Sequence, residues 1–586
     1  MHSLFTRVAV AVLTVCLSVA AAPARRRPAA KPKRTSSTRK RIAAMPLREK
    51  VAQLVVVPFY GEAPNSRSRE YTQLVRLVRD TGVGGMVLLN RVPKGVVRRA
   101  EPYALAAFTN RMQKLAKIPL IVAGDFERGP SMRVEGATPF PHAMALGATG
   151  DPSVSRYMGE VSAREARALG VQWLLVPVAD VNNNPDNPVI NIRSFGENPA
   201  EVSAHVRAFL EGTRADAKLP VLTTAKHFPG HGDTAIDTHL SLASAVGDRA
   251  RLDAVELAPF KVAIANGVDA VMTAHIAVPA LDGPDVPATL SAAVLTALLR
   301  DELGFKGLVV TDALEMGGIA KGFKGGEAAV RAIEAGADIL LVPPDPVAAI
   351  NAVVAAVEQG RIPRARIEQS VGKLLAAKER LGLNRERLVD VESVADAVGD
   401  PEALDRAQSI SDRSVTLVRN DGDMLPLPRD GVCFVLLQEN ARSPLGQTLL
   451  DELSKRAPQA LTVTVATAIQ DDDASATSAR LTGCTRVVVF SFNASGTLPD
   501  PLRRFIESLA EAKPAVLVSL GSPYLLRALP GAKAYLTTCS NVRPAEISAV
   551  RALFGEIEIG GRLPVTIPGY AEYGAGIRLP AMRPVP

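Results

Sequence analysis

From residue 51 to 344, short apolar runs alternate with stretches long enough to form helices, and the unit repeats eight times. The runs are VAQLVVVPF, GGMVLLN, PLIVAGDFE, VQWLLVPVADVN, VLTTAKHFPG, DAVMTAHIA, GLVVTDAL and ADILLVPP, beginning at residues 51, 84, 119, 171, 221, 269, 307 and 337. Near-continuous apolar runs mark strands covered on both faces, as in parallel sheets. Spacings of 30 to 52 residues leave room for a helix between each pair. Eight such units predict an α/β fold with a closed (β/α)8 TIM-type barrel over residues 45–384. Ile367, Val371, Leu374, Leu375 and Leu381 share one face of a closing helix, with Gly382 placed to end it.

The rhythm fails in the charged stretch NRERLVDVESVADAVGDP, so a linker is placed at residues 385–401. Beyond it, CFVLL, LTVTVAT, RVVVFSF, PAVLVSL and AKAYLTT predict strands of a second, open α/β sandwich domain over residues 402–586. Leu445, Leu449, Leu450 and Leu453 mark a helix between two of them. This second domain carries no cluster of ionisable residues comparable to that of the barrel.

Charge alters the picture only at the start of the chain. The formal net charge is +8, but residues 1–48 hold eleven Arg or Lys and no acid, leaving 57 basic residues against 60 acidic in the rest. The basic excess belongs to a tail, and nucleic acid is not an expected partner. With only 16 Phe, 8 Tyr and 1 Trp, long stacking platforms are also excluded. Residues 1–24 read as a secretory signal: Arg7, an apolar run from Val8 to Val15, then small residues around Ala22. The apolar stretch is shorter than the roughly 20 residues of a spanning helix, so no stable membrane span is expected after processing. Export to the periplasm, cell wall or medium is the expectation. Residues 25–44 read as a basic disordered linker, with electrostatic contact to the cell wall as the sharper alternative. Cys433, Cys484 and Cys539 lie in apolar strand-like stretches, and are read as buried structural thiols without metal-ligand spacing.

Candidate chemistry collects at the C-terminal ends of the proposed strands, where barrel enzymes place their sites. Asp125, Asp180, Lys226-His227, His275 and Asp312 all stand there. The stretch AKHFPGHGDTAIDTHLSLA after the fifth strand adds His231, Asp233, Asp237 and His239. Its three histidines and two aspartates could hold a metal ion. Alternatively, Asp237-Thr238-His239 is a dyad in which a carboxylate tunes an imidazole for proton transfer.

The segment KHFPGHGDTAIDTH, residues 226–239, closely resembles the signature of glycoside hydrolase family 3 β-N-acetylhexosaminidases. DFERGPSMR (125–133) resembles the family's Asp-x-Glu-Gly-Gly-x-x-x-Arg, NIRSFGENP (191–199) its Arg-Ser-Phe-Gly loop, and VVTDALEM (309–316) its nucleophile strand. The likeness continues into the second domain through LFGEIEIGGRLPVTIP, residues 553–568. The departures from the pattern are modest: Arg128 replaces the first glycine of the Gly-Gly pair, Pro130-Ser131-Met132 alters the turn, and Thr238 stands where Ser is common.

The resemblance implies a retaining exo-β-N-acetylglucosaminidase acting on terminal GlcNAc of glycans, with peptidoglycan fragments as the expected substrate. Asp312 would be the nucleophile, His239 the general acid/base and Asp237 its partner. Asp125, Arg133, Arg193, Lys226 and His227 would bind the sugar, and no metal or organic cofactor would be required. The alternatives are a family 3 β-glucosidase, a metal-dependent barrel hydrolase and a non-catalytic wall-binding protein. The β-glucosidase pattern places Ser-Asp-Trp where this chain has Thr311-Asp312-Ala313.

Overall fold

The computed structural model describes residues 35–61, 65–93, 96–238, 241–245, 247–323, 325–438 and 445–582. The expected signal, the first part of the linker and His239 lie outside the described residues.

Eight parallel strands form the first domain. They are β1 (Val55–Tyr60), β2 (Gly85–Leu89), β3 (Ile121–Gly124), β4 (Trp173–Leu174), β5 (Leu222–Phe228), β7 (Ala270–Thr273), β9 (Leu308–Val310) and β10 (Leu340–Leu341). Each falls inside one of the eight apolar runs, except that β1 continues one residue past its run to Tyr60. The order is β10-β1-β2-β3-β4-β5-β7-β9, and a parallel bridge from Val310 to Ile339 brings its two ends together. Two short segments, β6 (Ala243–Ser244) and β8 (Ile276–Ala277), pair with each other outside the barrel.

Inward-facing Val56, Val87, Ile121, Trp173, Leu222, Met272, Leu308 and Leu341 fill the interior, and Leu374, Leu381 and Leu383 plug its base. The plug comes from the helix Arg364–Arg380, after which Gly382 takes φ 78°, the left-handed conformation that ends helices at little cost to glycine. Several helices start by one local device. Glu101, Asn198, Asp345 and Asp400 each cap a helix by accepting backbone N–H groups, and a proline follows each of them.

The second domain is a six-stranded sheet of order β11-β16-β15-β14-β12-β13. Its strands are β11 (Thr416–Asn420), β12 (Val432–Gln438), β13 (Thr462–Ala466), β14 (Arg486–Ser491), β15 (Ala515–Ser519) and β16 (Ala534–Thr537). All pairings are parallel except that of β11 with β16. Apolar clusters cover both faces.

Two expectations require correction. Cys433 and Cys484 are not thiols; they form a disulfide, and only Cys539 remains a buried free thiol among the described residues. Pairing of β12 with β14 sets Cys433 opposite Val487, near the turn that carries Cys484, so the two sulfurs meet although 51 positions separate them. The expected linker is also not irregular to residue 44. Thr35–Ala44 is a helix lying against Arg364–Arg380, because Ile42 and the following Met45 bury their side chains there.

Candidate active site

A cavity of about 760 Å³ opens at the C-terminal ends of the barrel strands. Asp125 follows β3, Lys226 and His227 lie near the end of β5, and Asp312 follows β9. Arg193 reaches the cavity from the loop after β4. Of the eight residues expected at the site, Asp125, Arg133, Arg193, Lys226, His227 and Asp312 line this one cavity. Asp237 is half-buried in the loop after β5, outside the lining, and its neighbour Thr238 lines the cavity.

One wall is an ionic lattice. Lys226 Nζ stands 2.6 Å from Asp125 Oδ1 and 2.7 Å from Glu127 Oε1. Arg133 binds the other Asp125 oxygen at 3.0 Å, and Arg193 grips Glu127 through two nitrogens at 2.7 and 2.9 Å. Burial works against ionising Glu127, but the Arg193 and Lys226 charges outweigh it and hold the carboxyl well below its usual range. Burial likewise disfavours the Lys226 ammonium, yet Asp125 and Glu127 raise it overall. The lattice stays charged and presents fixed donors and acceptors to the cavity.

Behind it, fully buried Asp180 orders the loop that follows β5. Its carboxylate accepts from His227 Nδ1 at 2.8 Å, from the His227 backbone N–H at 3.2 Å and from the His231 N–H at 2.7 Å. His231 holds Thr234 Oγ1 at 2.8 Å and Thr238 Oγ1 at 3.0 Å, and burial lowers its imidazole to about 4. Gly232 makes this loop path feasible, since a Cβ there would sit 1.7 Å from the Val181 carbonyl oxygen.

Asp312 occupies the wall opposite Asp125 and Glu127. One carboxylate oxygen accepts the Ala313 N–H at 2.7 Å. Burial alone would raise this carboxyl, but facing His227, His275 and Lys226, together with the Ala313 bond, brings it below the ordinary value. His275 is held by Thr289 at 2.7 Å and the Ala313 carbonyl at 3.0 Å. Asp312 is therefore an ionised carboxylate in a confined pocket, with one oxygen tied and the other available for nucleophilic attack.

Sequence reasoning left several site residues out. Glu127 stood inside a quoted motif, and Asp180 at a strand end, without being assigned to the site. Glu315 lines the cavity, and burial raises its carboxyl. His142 and the segment Asn493–Ser495 also line it, the latter from the second domain after β14. Ser540, beyond β16, holds His142 Nδ1 at 2.9 Å. No sequence signal pointed to that inter-domain wall.

A closed parallel barrel whose polar cavity at the C-terminal strand ends holds an ionic lattice and an ionised Asp312 defines a barrel enzyme. Comparison with known proteins identifies the family. Residues 46–377 match the glycosyl hydrolase family 3 N terminal domain and residues 415–579 the family's C-terminal domain. The chain belongs to glycoside hydrolase family 3. It is 33% identical over 417 residues to a β-N-acetylglucosaminidase/β-glucosidase of Cellulomonas fimi, covering 69% of this chain and 71% of that protein. It is 33% identical to β-hexosaminidase A of Pseudoalteromonas piscicida over 62% of this chain and 64% of that protein. The structure of a family 3 β-N-acetylglucosaminidase from Paenibacillus superposes with a TM-score of 0.79 at 36% identity, covering 89% of this chain and 99% of the other.

Proposed function

We propose that this glycoside hydrolase is a retaining exo-β-N-acetylglucosaminidase that releases terminal GlcNAc from glycans, with GlcNAc–MurNAc fragments of peptidoglycan as substrate. The observation that carries the reading is the ionised Asp312 across the cavity from the Asp125, Glu127, Lys226 and Arg193 lattice. The related proteins named above, which carry β-N-acetylglucosaminidase or β-hexosaminidase activity in their names, support it.

In this mechanism the lattice binds the sugar hydroxyls and Asp312 attacks the anomeric carbon. His239 gives its proton to the departing glycosidic oxygen, and a covalent glycosyl-Asp312 ester results. The same imidazole then takes a proton from water, whose oxygen attacks the anomeric carbon and frees Asp312. Asp237 supports the imidazolium through both steps. We further place the enzyme outside the cytoplasm. The Cys433–Cys484 disulfide supports that reading, since such bonds persist in oxidising compartments. Contact of the basic segment 25–44 with anionic wall polymer belongs to the same proposal.

Turnover of a chromogenic β-GlcNAc glycoside beside its β-glucoside analogue, with and without EDTA, tests the reading. Preferential, chelator-insensitive release from the GlcNAc compound is expected. Preference for the glucoside moves the protein to the β-glucosidases, and loss of activity with EDTA moves it to metal-dependent hydrolases.

A further inference from the structure

Arg128 departs from the glycine of the family pattern, and its position gives the departure a consequence. It follows Glu127 at the end of β3, and β3 lies four strands from β9 in the eight-strand order, directly across the barrel from Asp312. Its guanidinium is half-buried in the cavity wall. Every other cation of that wall has a carboxylate: Arg133 has Asp125, Arg193 has Glu127, and Lys226 has both. Among the described residues the Arg128 guanidinium has no salt-bridge or hydrogen-bond partner, and Glu127, already held by Arg193 and Lys226, reaches it only through its charge. Burial, with the neighbouring Arg99 and Arg133 charges, lowers it to about 10, so it stays charged in a wall already short of negative charge.

His142 supplies a second donor beside it. Ser540 Oγ accepts the His142 backbone N–H at 3.2 Å and lies 2.9 Å from Nδ1. We assign the Ser540 hydroxyl hydrogen to Nδ1, its only hydrogen-bond acceptor among the described residues, which places the ring proton on Nε2. Nε2 has no acceptor among the described residues, and His142 lines the cavity. Burial and the Arg128 and Arg193 charges keep this imidazole neutral, with a pKa of about 3.

We propose that Arg128 and His142 form an oxyanion-binding subsite on the wall facing Asp312, and that the substrate carries a carboxylate or phosphate group on the sugar held in the pocket. With the anomeric carbon at Asp312, the opposite wall meets the ring substituents farthest from the scissile bond. The assignment rests on the hexosaminidase reading but replaces its GlcNAc–MurNAc substrate, whose carboxylate lies on the leaving sugar, with glycosides in which the pocket-held N-acetylhexosamine itself carries the acidic group. A phosphate ester and a carboxylate ether satisfy the same two donors.

The test compares three nitrophenyl β-GlcNAc glycosides: the neutral compound, one with a phosphate ester on the primary hydroxyl, and one with a carboxyethyl ether on the ring. We expect kcat/KM for one charged compound to exceed that for the neutral one, and Arg128→Met to shrink this ratio by roughly ten- to a hundred-fold, the range for hydrogen bonds to charged groups. Arg128→Lys should retain most of the preference, and added salt should erode it in the native enzyme. The better of the two charged compounds distinguishes the phosphate from the carboxylate source. Equal or poorer use of both charged glycosides, or a ratio unmoved by Arg128→Met, overturns the subsite and leaves the hexosaminidase reading intact. An Arg128-dependent gain for a carboxylate moved to the leaving group overturns its placement on the sugar. Calorimetry with free N-acetylglucosamine phosphate and N-acetylmuramic acid runs in parallel. If no GlcNAc glycoside is turned over, the hexosaminidase reading falls, and Arg128-dependent binding of either probe then decides the subsite alone.

Discussion

The His227 imidazole donates from Nδ1 to Asp180 Oδ2 across 2.8 Å, and this one bond selects the nitrogen that faces the cavity. A carboxylate only accepts, so Nδ1 carries a proton, and Nε2 is the nitrogen turned to the cavity, 3.4 Å from Arg193. Asp180→Asn would add donors where only acceptance is useful, and would weaken the hold on the His227 and His231 backbone. We expect a loss of about 1–3 kcal/mol of stability and at least about a tenfold fall in kcat/KM. Chemical denaturation and steady-state kinetics on the same variant check both.

Asp312→Ala should abolish turnover even of glycosides with activated leaving groups, because it removes the proposed nucleophile. Near-normal rates with such a substrate would move the nucleophile elsewhere.

His239→Ala should cost most with poor leaving groups and little with good ones, which need less protonation to depart. Glu315 provides the control, as its carboxyl also lines the cavity and is raised by burial. A leaving-group dependence that emerges in Glu315→Gln instead assigns the proton to Glu315.

Stability should fall as pH drops from about 6.5 to about 4. His205 is fully buried, stacks 4.9 Å from Phe195, and is lowered by burial to about 4; His231 is lowered likewise to about 4. In that interval the unfolded chain binds protons that the folded one refuses, so each fall in pH favours unfolding, by roughly a few kcal/mol per histidine when complete. Denaturation midpoints across this range test the slope, and His205→Gln should flatten it. Activity should not share that limb through its nucleophile, because Asp312 is held below the ordinary carboxylate value and remains ionised there.

Replacing Cys433 and Cys484 together by alanine should destabilise the second domain by up to about 4 kcal/mol, the chain-entropy value for a loop of this size. Thiol titration of the unfolded, unreduced protein adds a readout of processing. Cys539 alone reacts if residues 1–24 have been removed, and Cys16 adds a second thiol if they have not.

The barrel was legible because eight buried parallel strands leave eight near-continuous apolar runs, a pattern few other folds write. β11 was not, since Thr416–Asn420 is a short antiparallel edge strand with Arg419 and Asn420 among its five residues. Site residues near in sequence to a recognisable motif were found. Glu127, inside such a motif, is the exception, and pairings made by tertiary approach were missed: the Arg193–Glu127 pair spans 66 positions and the Ser540–His142 pair 398. The disulfide escaped for the same reason, because the three cysteines beyond residue 24 fix no pairing until the strand order is known.

One side of the cavity is built from loops of a different sheet. Asn493–Ser495 and Ser540 follow β14 and β16, whereas Asp312 and the ionic lattice rise from the barrel. Loop sequences can drift without disturbing the strands that carry them. One wall of the pocket is thereby under separate inheritance from the reacting groups: exchange of the second domain between relatives would change that wall while leaving Asp312 and the ionic lattice in place. A barrel severed from its companion would keep the reacting groups and lose that wall.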